Sequence, residues 1–194
     1  MEIYFVTHNP SKYEEAFDLA KQFKIQLLWK NIEYEEPQES DLESIAFRSC
    51  KGIIEKNPEL NNLVFFLEDA GLFIRTLNGF PGPYSAYVFK TLGNEGILKL
   101  MEKNENREAF FKSVVAFYSR EEIKLFNGIT KGIITQSIQG EGGFGFDPIF
   151  KPDDSEQTFS EMTLRTKNLY SHRQKSLREL FTSITAFDKN KLVK

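Results

Sequence analysis

The run Leu63–Leu67, LVFFL, is the feature that most constrains how this chain of 194 residues can fold. Its five consecutive apolar residues leave no polar face, which is typical of a strand buried on both sides within an α/β protein. Segments with helical spacing of apolar residues lie on either side of it. They begin at Asn9-Pro10 and Ser40 before the run, and near Ser171 after it. The pattern therefore predicts an α/β fold.

The remaining strand candidates indicate a mixed sheet. Apolar runs at 2–6 (EIYFV) and 25–29 (IQLLW) fit short strands. Residues 109–118 and 122–138 fit two long strands joined by a turn at 119–121, an arrangement outside a strict βαβ series. Since the chain contains no repeat and no linker-like segment, we expect a single α/β domain over residues 1–194, with two lobes, a central mixed sheet and flanking helices.

Composition and charge argue against several classes of function. The formal net charge is −3 and the pI about 5.6, with acidic and basic residues interspersed, which disfavours nucleic-acid binding. The single cysteine, Cys50, forms no zinc motif of known spacing with His8 and His172. A catalytic metal would therefore be held by carboxylates, which favours Mg²⁺. Because no signal-like segment or long apolar run occurs, we expect a cytoplasmic protein without a membrane partner.

The segment 7–12 (THNPSK) can bind phosphate. It leaves the first predicted strand and opens the first predicted helix, where free backbone N–H groups and a partial positive charge favour an anion. Lys12 adds a charge, and Thr7 and Asn9 add hydrogen-bonding side chains. The Walker pattern is absent from the chain, and a capped helix with a surface lysine would contain the same residues.

Two acidic segments can bind a metal ion. The loop 33–39 (EYEEPQE) carries four glutamates, although acidic loops are more often only solvated. Glu68 and Asp69 follow the buried run, at the predicted end of its strand, where adjacent carboxylates are costly unless they are paired or metal-bound. Strand ends are also where α/β folds bind ligands. Either a metal site or a carboxylate pair that caps the strand would account for these two residues.

The glycine-rich segment 140–150 (GEGGFGFDPIF) matches the dinucleotide-binding pattern GxGxxG in letters only. That pattern requires a helix after the glycines, whereas Pro148 and the β-prone residues around it favour a loop that continues into extended chain. Phe144 and Phe146 could instead stack on a base, with the glycines letting the backbone approach it.

Three basic residues near the last predicted helix are further candidates for substrate contacts. Lys167, His172 and Arg173 could meet a phosphate or the polar edge of a base. The last two lie in the first helical turn after Ser171, where positive charge opposes the helix dipole, so a partner-facing role is indicated. A plain surface helix accounts for them equally well.

Five short motifs follow one another along almost the entire chain. They are T-x-N-x-x-K at 7–12, E-D-x-G-L at 68–72, G-F-P-G-x-Y-S-A-Y at 79–87, G-F-G-[YFW]-D-P-I-F at 143–150 and E-M-T-x-x-x-K-N-x-x-S-H-R at 161–173. Any one is a weak signal. In this order they resemble the inosine triphosphate pyrophosphatase family, also called the Ham1-like or noncanonical purine nucleoside triphosphate pyrophosphatases. Residues 79–102 are most similar to archaeal members.

The resemblance implies hydrolysis of a nucleoside triphosphate to the monophosphate and pyrophosphate. Inosine, deoxyinosine and xanthosine triphosphates (ITP, dITP and XTP) would be preferred, so the enzyme would cleanse the nucleotide pool. The resemblance also implies a Mg²⁺-dependent homodimer with an elongated sheet and an active-site cleft between two lobes. Two alternatives stay open: a pyrophosphatase for other modified nucleotides, and a nucleotide-binding sensor without turnover.

The resemblance also implies roles for single residues. Asp69 matches the catalytic aspartate, which accepts a proton from the attacking water and can bind the metal beside Glu68. Lys12 matches the phosphate-binding lysine, and Glu36 best matches the metal-binding glutamate. A small shift of register would put another glutamate of the loop in that place: Glu33, Glu35 or Glu39.

The remaining implied substrate contacts form two groups. The phosphate loop contributes Thr7, His8, Asn9, Pro10 and Ser11 beside Lys12. The base-binding group consists of Phe144, Gly145, Phe146, Asp147, Lys167, His172 and Arg173. Many members carry serine or threonine after the catalytic aspartate, but this chain has Ala70, so its backbone N–H would make the contact. Arg48 and Lys51 are both candidates for a lysine that some members carry in the second helix.

Donor and acceptor chemistry predicts selectivity against ATP. Hypoxanthine and xanthine present an oxygen at purine position 6, where adenine presents an amino group. A pocket of backbone N–H groups, His172 and Arg173 would bond that oxygen and face another donor in adenine. Buried polar groups left unpaired in this way discriminate by up to ~10⁴–10⁵-fold.

Overall fold

The computed structural model describes residues 2–191, and within them the predicted α/β fold is confirmed. The strands are β1 (Glu2–Val6), β2 (Gln26–Lys30), β3 (Phe65–Ile74), β4 (Pro81–Gly82), β5 (Glu108–Ser119), β6 (Glu122–Ile134) and β7 (Phe150–Pro152). The helices are α1 (Pro10–Gln22), α2 (Leu42–Lys56), α3 (Ser85–Thr91), α4 (Gly93–Leu100), α5 (Leu164–Tyr170) and α6 (His172–Lys191).

The strands form one mixed sheet, as predicted. Its order is β2-β1-β3-β5-β6-β7, with β4 paired to β3. Strand β1 runs parallel to both of its neighbours, β2 and β3, so that Phe5 lies opposite Trp29 on one side and Phe66 on the other. The β3–β4 and β6–β7 pairs are antiparallel. Both the parallel and the antiparallel components expected from the sequence are therefore present.

Strand β3 is longer than the apolar run that predicted it. We expected the strand to end at Glu68 and Asp69, but it continues to Ile74, so these carboxylates lie in its middle. The continuation is apolar again, and its Leu72 pairs with Gly82 of β4. Pairing with β4 thus extends the strand beyond the charged residues. Ala70, a predicted substrate contact, is partly exposed within it.

The predicted hairpin of long strands is confirmed as β5 and β6. Arg120 and Glu121 form its turn with φ of 53° and 63°, left-handed values that suit the twist of two-residue hairpins. The second strand ends at Ile134, four residues earlier than residue 138, and the N–H of the next residue, Thr135, bonds to the carbonyl oxygen of Ile149 just before β7. The predicted capping residue of α2 is also corrected: Asp41, not Ser40, accepts the N–H of Ser44 at 2.8 Å.

The chain divides into two compact units, each with its own core. The first unit contains the segment ending at Asp69, Ser113–Gly128 and the segment from Arg173 onward. Its buried apolar cluster is Ile3, Phe5, Ala16, Leu19, Ala20, Ile25, Leu27, Phe66, Val115, Phe117, Leu177, Leu180, Phe181 and Ile184. The predicted apolar faces of α1 and α6 supply many of these residues.

The second unit consists of Ala70–Lys112 and Ile129–His172. Its buried apolar cluster is Leu72, Ile74, Val88, Ile97, Met101, Ala109, Phe111, Ile134, Phe146, Ile149, Phe150 and Phe159. The short helices α3, α4 and α5 belong to this unit and were not predicted from the sequence. This core includes Phe146 and Phe150 of the glycine-rich segment, whereas Phe144 stays partly exposed.

Candidate active site

The predicted phosphate loop, residues 7–12, joins β1 to α1 in the first unit, and its predicted helix start is confirmed. Asn9 is the N-cap: its Oδ1 accepts the N–H groups of Ser11 at 2.9 Å and Lys12 at 3.3 Å. The indole Nε1 of Trp29 donates to the carbonyl oxygen of Thr7 at 2.7 Å. The loop is thus held by hydrogen bonds of its own and of β2, and the one tryptophan of the chain lies directly against it.

Lys12 lies against Glu68, the first carboxylate of the β3 pair. Its Nζ donates to the Glu68 carbonyl oxygen at 3.0 Å and lies 3.0 Å from Oε2 of the same residue. The Lys12 side chain remains 19% exposed, whereas that of Glu68 is fully buried. Because an ammonium group carries three donors, Lys12 can keep this pair and still bind a phosphate oxygen.

Arg173 is buried and forms ion pairs with two carboxylates of the same unit. Its Nη1 pairs with Glu15 of α1, and its Nε lies 3.2 Å from Oε2 of Glu68. Burial alone would lower the pKa of Arg173, but Glu68 and Glu15 raise it above its usual value. The guanidinium that was expected to contact substrate therefore holds α1, β3 and α6 together through their charges.

Glu68 is the centre of this buried network. Besides Lys12 and Arg173, it binds Ser113 of β5, whose hydroxyl donates to Oε1 at 2.7 Å. Two cations thus compensate the buried carboxylates of Glu15 and Glu68, as buried charges require. For Glu68, the cost of burying a carboxylate next to Asp69 is therefore offset by ion pairs.

The surroundings of Tyr34 show which glutamate of the acidic loop lies near Glu68 and Asp69. The carboxylates of Glu36, Asp69 and Glu68 all lie close enough to its hydroxyl group to act on it electrostatically. Burial, followed by these three negative charges, raises the pKa of Tyr34 far above its ordinary value. Three carboxylates therefore converge near one hydroxyl group of the first unit.

Two other glutamates of the loop are engaged with helix α2. Glu35 lies 2.9 Å from Lys56, whose hydrogen bond and charge lower the pKa of Glu35. Glu39 pairs with Arg48. These contacts favour Glu36 as the loop glutamate that acts together with Asp69.

The residues around Tyr34 fit a hard divalent cation. Among residues 2–191, side chains of His, Cys, Asp and Glu form no ready-made group of three or more that could hold a metal ion. Mg²⁺ does not need such a cage, since one or two carboxylates commonly bind it together with waters and substrate phosphates. Glu36 and Asp69 supply suitable oxygens, whereas Oε2 of Glu68 already pairs with Lys12 and Arg173, and its Oε1 accepts the hydroxyl of Ser113.

A buried ion pair organises the glycine-rich segment in the second unit. Nζ of Lys167 lies 2.7 Å from Oδ2 of Asp147, and each side chain is 5% exposed. The same oxygen accepts the N–H of Phe144 at 2.8 Å, and Nζ lies 4.6 Å from the centroid of the Phe144 ring. The pair therefore fixes both the backbone and the ring of Phe144, which stays partly exposed.

Glycine is favoured at positions 143 and 145 for different physical reasons. Gly143 has a φ of +72°, and a Cβ there would lie 2.3 Å from Oδ2 of Asp147. Its missing side chain thus makes room for that carboxylate, whereas we expected the glycines to make room for a base. Gly145 also has a left-handed φ of +62°, but a Cβ there would meet nothing within 4 Å.

Phe146 and His172 are packed inside the second unit. Phe146 is 3% exposed and meets the ring of Phe89 edge-on at a centroid distance of 5.4 Å. His172 is 4% exposed and stacks on Phe111 at 4.6 Å. Rings packed in this way serve the core, so Phe144 becomes the better candidate for stacking on a base.

Known proteins match nearly all of this sequence. The sequence model of the Ham1 family matches residues 3–183. The chain belongs to the Ham1 family. Relatives of this Ham1-family chain include the dITP/XTP pyrophosphatase of Pyrococcus horikoshii, 46% identical over 93% of this chain and 95% of the relative. That of Thermococcus kodakarensis is 44% identical over 92% and 95%. The family and its archaeal similarity, both expected from the motifs, are confirmed.

Solved structures show the same architecture. The Ham1 protein of Coxiella burnetii superimposes with a TM-score of 0.81 at 26% identity, covering 96% of this chain and 99% of that one. The Ham1 protein of Staphylococcus aureus gives a TM-score of 0.78 at 26% identity, with the same coverage. No helix in the described part of our Ham1-family chain is long and apolar enough to cross a membrane.

Glu15 and Tyr34 are among the residues of the site that the sequence did not indicate. Glu15 bonds to Arg173 across 158 positions of the chain, and no local pattern announces such a pair. Tyr34 carried a weak signal, since an aromatic residue inside an acidic loop is unusual if the loop is only solvated. In this Ham1-family structure Tyr34 lies beside the carboxylates that the sequence had singled out.

Proposed function

We propose that this Ham1-family protein hydrolyses noncanonical purine nucleoside triphosphates, with ITP, dITP and XTP as substrates, to the monophosphate and pyrophosphate. The observation that carries the proposal is the convergence of Glu36, Glu68 and Asp69 near one hydroxyl in the unit that contains the phosphate loop. A triphosphate with a bound cation needs such a combination of anionic and cationic groups. The archaeal relatives, which are dITP/XTP pyrophosphatases, support the same substrate class.

The proposed reaction is attack of water on the α-phosphorus. The bond from that phosphorus to the bridging oxygen of the β-phosphate breaks, so that pyrophosphate leaves and the nucleoside monophosphate remains. Asp69 takes the proton of the attacking water, a role that contributes ~10²–10⁴-fold to the rate. Lys12, with its ammonium partly exposed, stabilises negative charge on the phosphate oxygens.

We assign Mg²⁺ as the cofactor, held by Glu36 and Asp69. When bound it supplies Lewis-acid stabilisation of the charged phosphate oxygens. Glu68 then serves a different purpose: its ion pairs with Lys12 and Arg173 fix the strand segment that carries Asp69. A homodimer, implied by the family resemblance, stays a prediction that sedimentation equilibrium would check.

Base recognition is assigned to Phe144 and Lys167. The partly exposed Phe144 ring offers a face for stacking, and the ammonium group of Lys167 lies over that ring. Lys167 is a donor that matches the 6-oxygen of hypoxanthine or xanthine and opposes the amino group of adenine. In this proposal it takes the role first given to His172 and Arg173, because Lys167 lies over the partly exposed Phe144 ring, whereas His172 stacks on Phe111 and Arg173 pairs with two carboxylates.

The deciding experiment is end-point chromatography of the purified protein with Mg²⁺ and, separately, ITP, dITP, XTP, GTP and ATP. Pyrophosphate is assayed apart from orthophosphate. We expect inosine monophosphate and pyrophosphate from ITP, with ATP spared. Diphosphate and orthophosphate would mean cleavage at the γ-phosphate and overturn the proposed reaction. No turnover, together with a change of Trp29 fluorescence on adding ITP, would instead indicate a binding module.

Substitution of single loop glutamates tests the metal assignment. Glu36→Gln should raise the Mg²⁺ concentration for half-maximal rate by about 10-fold or more, because a charged ligand is lost. Glu35→Gln, an equal change at the neighbouring carboxylate that pairs with Lys56, should leave that concentration unchanged. An effect of Glu35→Gln as large as that of Glu36→Gln would contradict the assignment. The measurement is initial rate of pyrophosphate release against Mg²⁺ concentration.

Removal of the Phe144 ring tests base stacking. Stacking of a base on an aromatic ring is worth ~1–3 kcal/mol, so Phe144→Ala should raise KM for ITP roughly 5- to 150-fold. The control is Phe110→Ala, another partly exposed ring of the second unit, which stacks on Phe73 outside the segment. Phe146→Ala is a poorer test, because loss of its buried ring should cost ~3–5 kcal/mol of stability. An unchanged KM for Phe144→Ala would remove Phe144 from the site.

A further inference from the structure

The helix cap of the phosphate loop uses several of the loop's own backbone N–H groups. Oδ1 of Asn9 accepts the N–H of Ser11 at 2.9 Å and that of Lys12 at 3.3 Å. The N–H of Asn9 bonds in turn to Oγ1 of Thr7 at 3.1 Å. These are donors that we expected from the sequence to be free for an anion, so phosphate binding depends on what the cap leaves over.

The N–H of His8 is the backbone donor that the loop leaves over. The N–H of Thr7 bonds to the carbonyl oxygen of Lys30 on β2 at 3.3 Å, and Pro10 has no N–H. Within residues 2–191 the N–H of His8 meets no acceptor. Because backbone N–H groups are strong donors that rarely stay unbonded, this one is suited to an anionic ligand.

Trp29 of β2 fixes the direction of this donor. Its indole Nε1 donates to the carbonyl oxygen of Thr7 at 2.7 Å. The peptide bond from Thr7 to His8 is trans, so that carbonyl group and the following N–H point in opposite directions. Since both backbone groups of Thr7 bond to β2, the N–H of His8 points to the other side of β1, where β3 carries Glu68 and Asp69.

The indole ring is itself held in place by α1. It stacks on the ring of Tyr13, with centroids 5.2 Å apart and planes at 17°. The Tyr13 hydroxyl donates to the carbonyl oxygen of Leu27 on β2 at 3.1 Å. Because Trp29 is 44% exposed, its side chain contributes little to the buried core, and its specific contribution is the bond to Thr7.

We propose that Trp29 is a positioning residue for the phosphate loop, which holds the Thr7 carbonyl toward β2 and thereby aims the N–H of His8 at a phosphate oxygen of the substrate. This inference deepens the proposed function and rests on it. The same bond keeps a carbonyl oxygen, which would repel an anion, turned away from the phosphate. Trp29 itself makes no contact with the substrate. Hydrogen bonds to charged groups are roughly twice as strong as neutral ones, so loss of alignment should measurably weaken binding.

The test is Trp29→Phe, which removes the indole N–H and keeps an aromatic ring on Tyr13. The ligand is an ITP analogue with a methylene group in place of the oxygen between the α- and β-phosphorus, which the proposed reaction cannot cleave. Its Kd is measured by isothermal titration calorimetry with Mg²⁺ present. We expect Kd raised about 3- to 10-fold, as for a weakened hydrogen bond to a charged group.

The matched control is Tyr13→Phe, which removes the hydroxyl that bonds to Leu27 and leaves the bond of Trp29 to Thr7 in place. Each variant loses one hydrogen bond from an aromatic side chain to a backbone carbonyl oxygen, so a general structural effect would appear in both. Tyr13→Phe should bind the analogue like the wild type. Equal weakening by the two variants would overturn the positioning role.

The amide proton of His8 reports the positioning directly. Because the chain contains two histidines, protein labelled with ¹⁵N-histidine gives two backbone amide signals, and loss of one in His8→Gln identifies that of His8. Adding the analogue should move the His8 amide proton downfield in the wild type and less in Trp29→Phe. A His8 signal that stays in place in the wild type would overturn the inference.

Lys12→Gln separates this inference from the function on which it rests. The change removes the ammonium group of the loop and should weaken binding of the analogue. Wild-type affinity in Trp29→Phe, combined with weakened affinity in Lys12→Gln, would overturn the role of Trp29 and leave the phosphate loop as assigned. Wild-type affinity in Lys12→Gln as well would overturn the proposed phosphate site and this inference together.

Discussion

Asp69→Asn should lower kcat for ITP hydrolysis by ~10²–10⁴-fold, the contribution expected of a general base. Asparagine has nearly the same size and shape as aspartate but cannot take the proton of the attacking water. It also removes a negative charge from the set of carboxylates near Tyr34. The measurement is the rate of pyrophosphate release at saturating ITP and Mg²⁺.

The controls for Asp69→Asn separate chemistry from folding. Asp153→Asn makes the same change at an exposed carboxylate of the second unit and should leave kcat within a factor of two. Trp29 donates to the carbonyl oxygen of Thr7, so its fluorescence should still respond to ITP in the Asp69 variant. A kcat within threefold of the wild type would contradict the role of Asp69 as base.

Arg173→Met should lower the free energy of unfolding by ~3–5 kcal/mol, because it leaves the buried carboxylates of Glu15 and Glu68 without their shared cation. For a domain of this size that corresponds to a melting temperature roughly 10 °C lower. A substrate-contacting arginine predicts the opposite pattern, with stability unchanged and KM raised. Chemical denaturation of the protein without nucleotide distinguishes the two.

Two further variants test whether the loss of stability comes from the ion pairs of Arg173. Arg178→Met removes an exposed arginine of the same helix, whose guanidinium lies 5.8 Å from the Phe23 ring centroid, and should change stability by no more than ~1 kcal/mol. Adding Glu15→Gln to Arg173→Met removes one of the uncompensated charges and should recover part of the lost stability. Equal stability of the wild type and Arg173→Met would show that the buried ion pairs of Arg173 do not stabilise the fold.

Local signals explain why much of the fold was predictable. The sequence Asn9-Pro10 places a capping side chain before a residue suited to the first helical position, and α1 begins there. Two strand-like runs with a short polar break between them became the β5–β6 hairpin. Each of these features depends on neighbours within a few positions. The motifs also pointed to the Ham1 family for the same reason, since each motif is a short continuous segment.

Longer-range packing decided what the sequence left open. Whether Phe144 or Phe146 offers a ring to a ligand depended on which of them the second core covers, and that core buries Phe146. Which loop glutamate joins Asp69 depended on Lys56 and Arg48 of α2, which bind Glu35 and Glu39. Neither the burial of Phe146 nor these ion pairs can be inferred from the spacing of residues along the chain.

The sequence by itself determined the fold class, the start of α1 at Asn9-Pro10 and the set of candidate charges. Tertiary structure alone decided how those charges pair: Lys12 with Glu68 across 56 positions, and Arg173 with Glu15 across 158. The physical reason is that a buried charge must find its counterion wherever the chain brings one within a few ångströms. Local pattern fixes which side chains are available, and packing of α1, β3 and α6 fixes which of them meet.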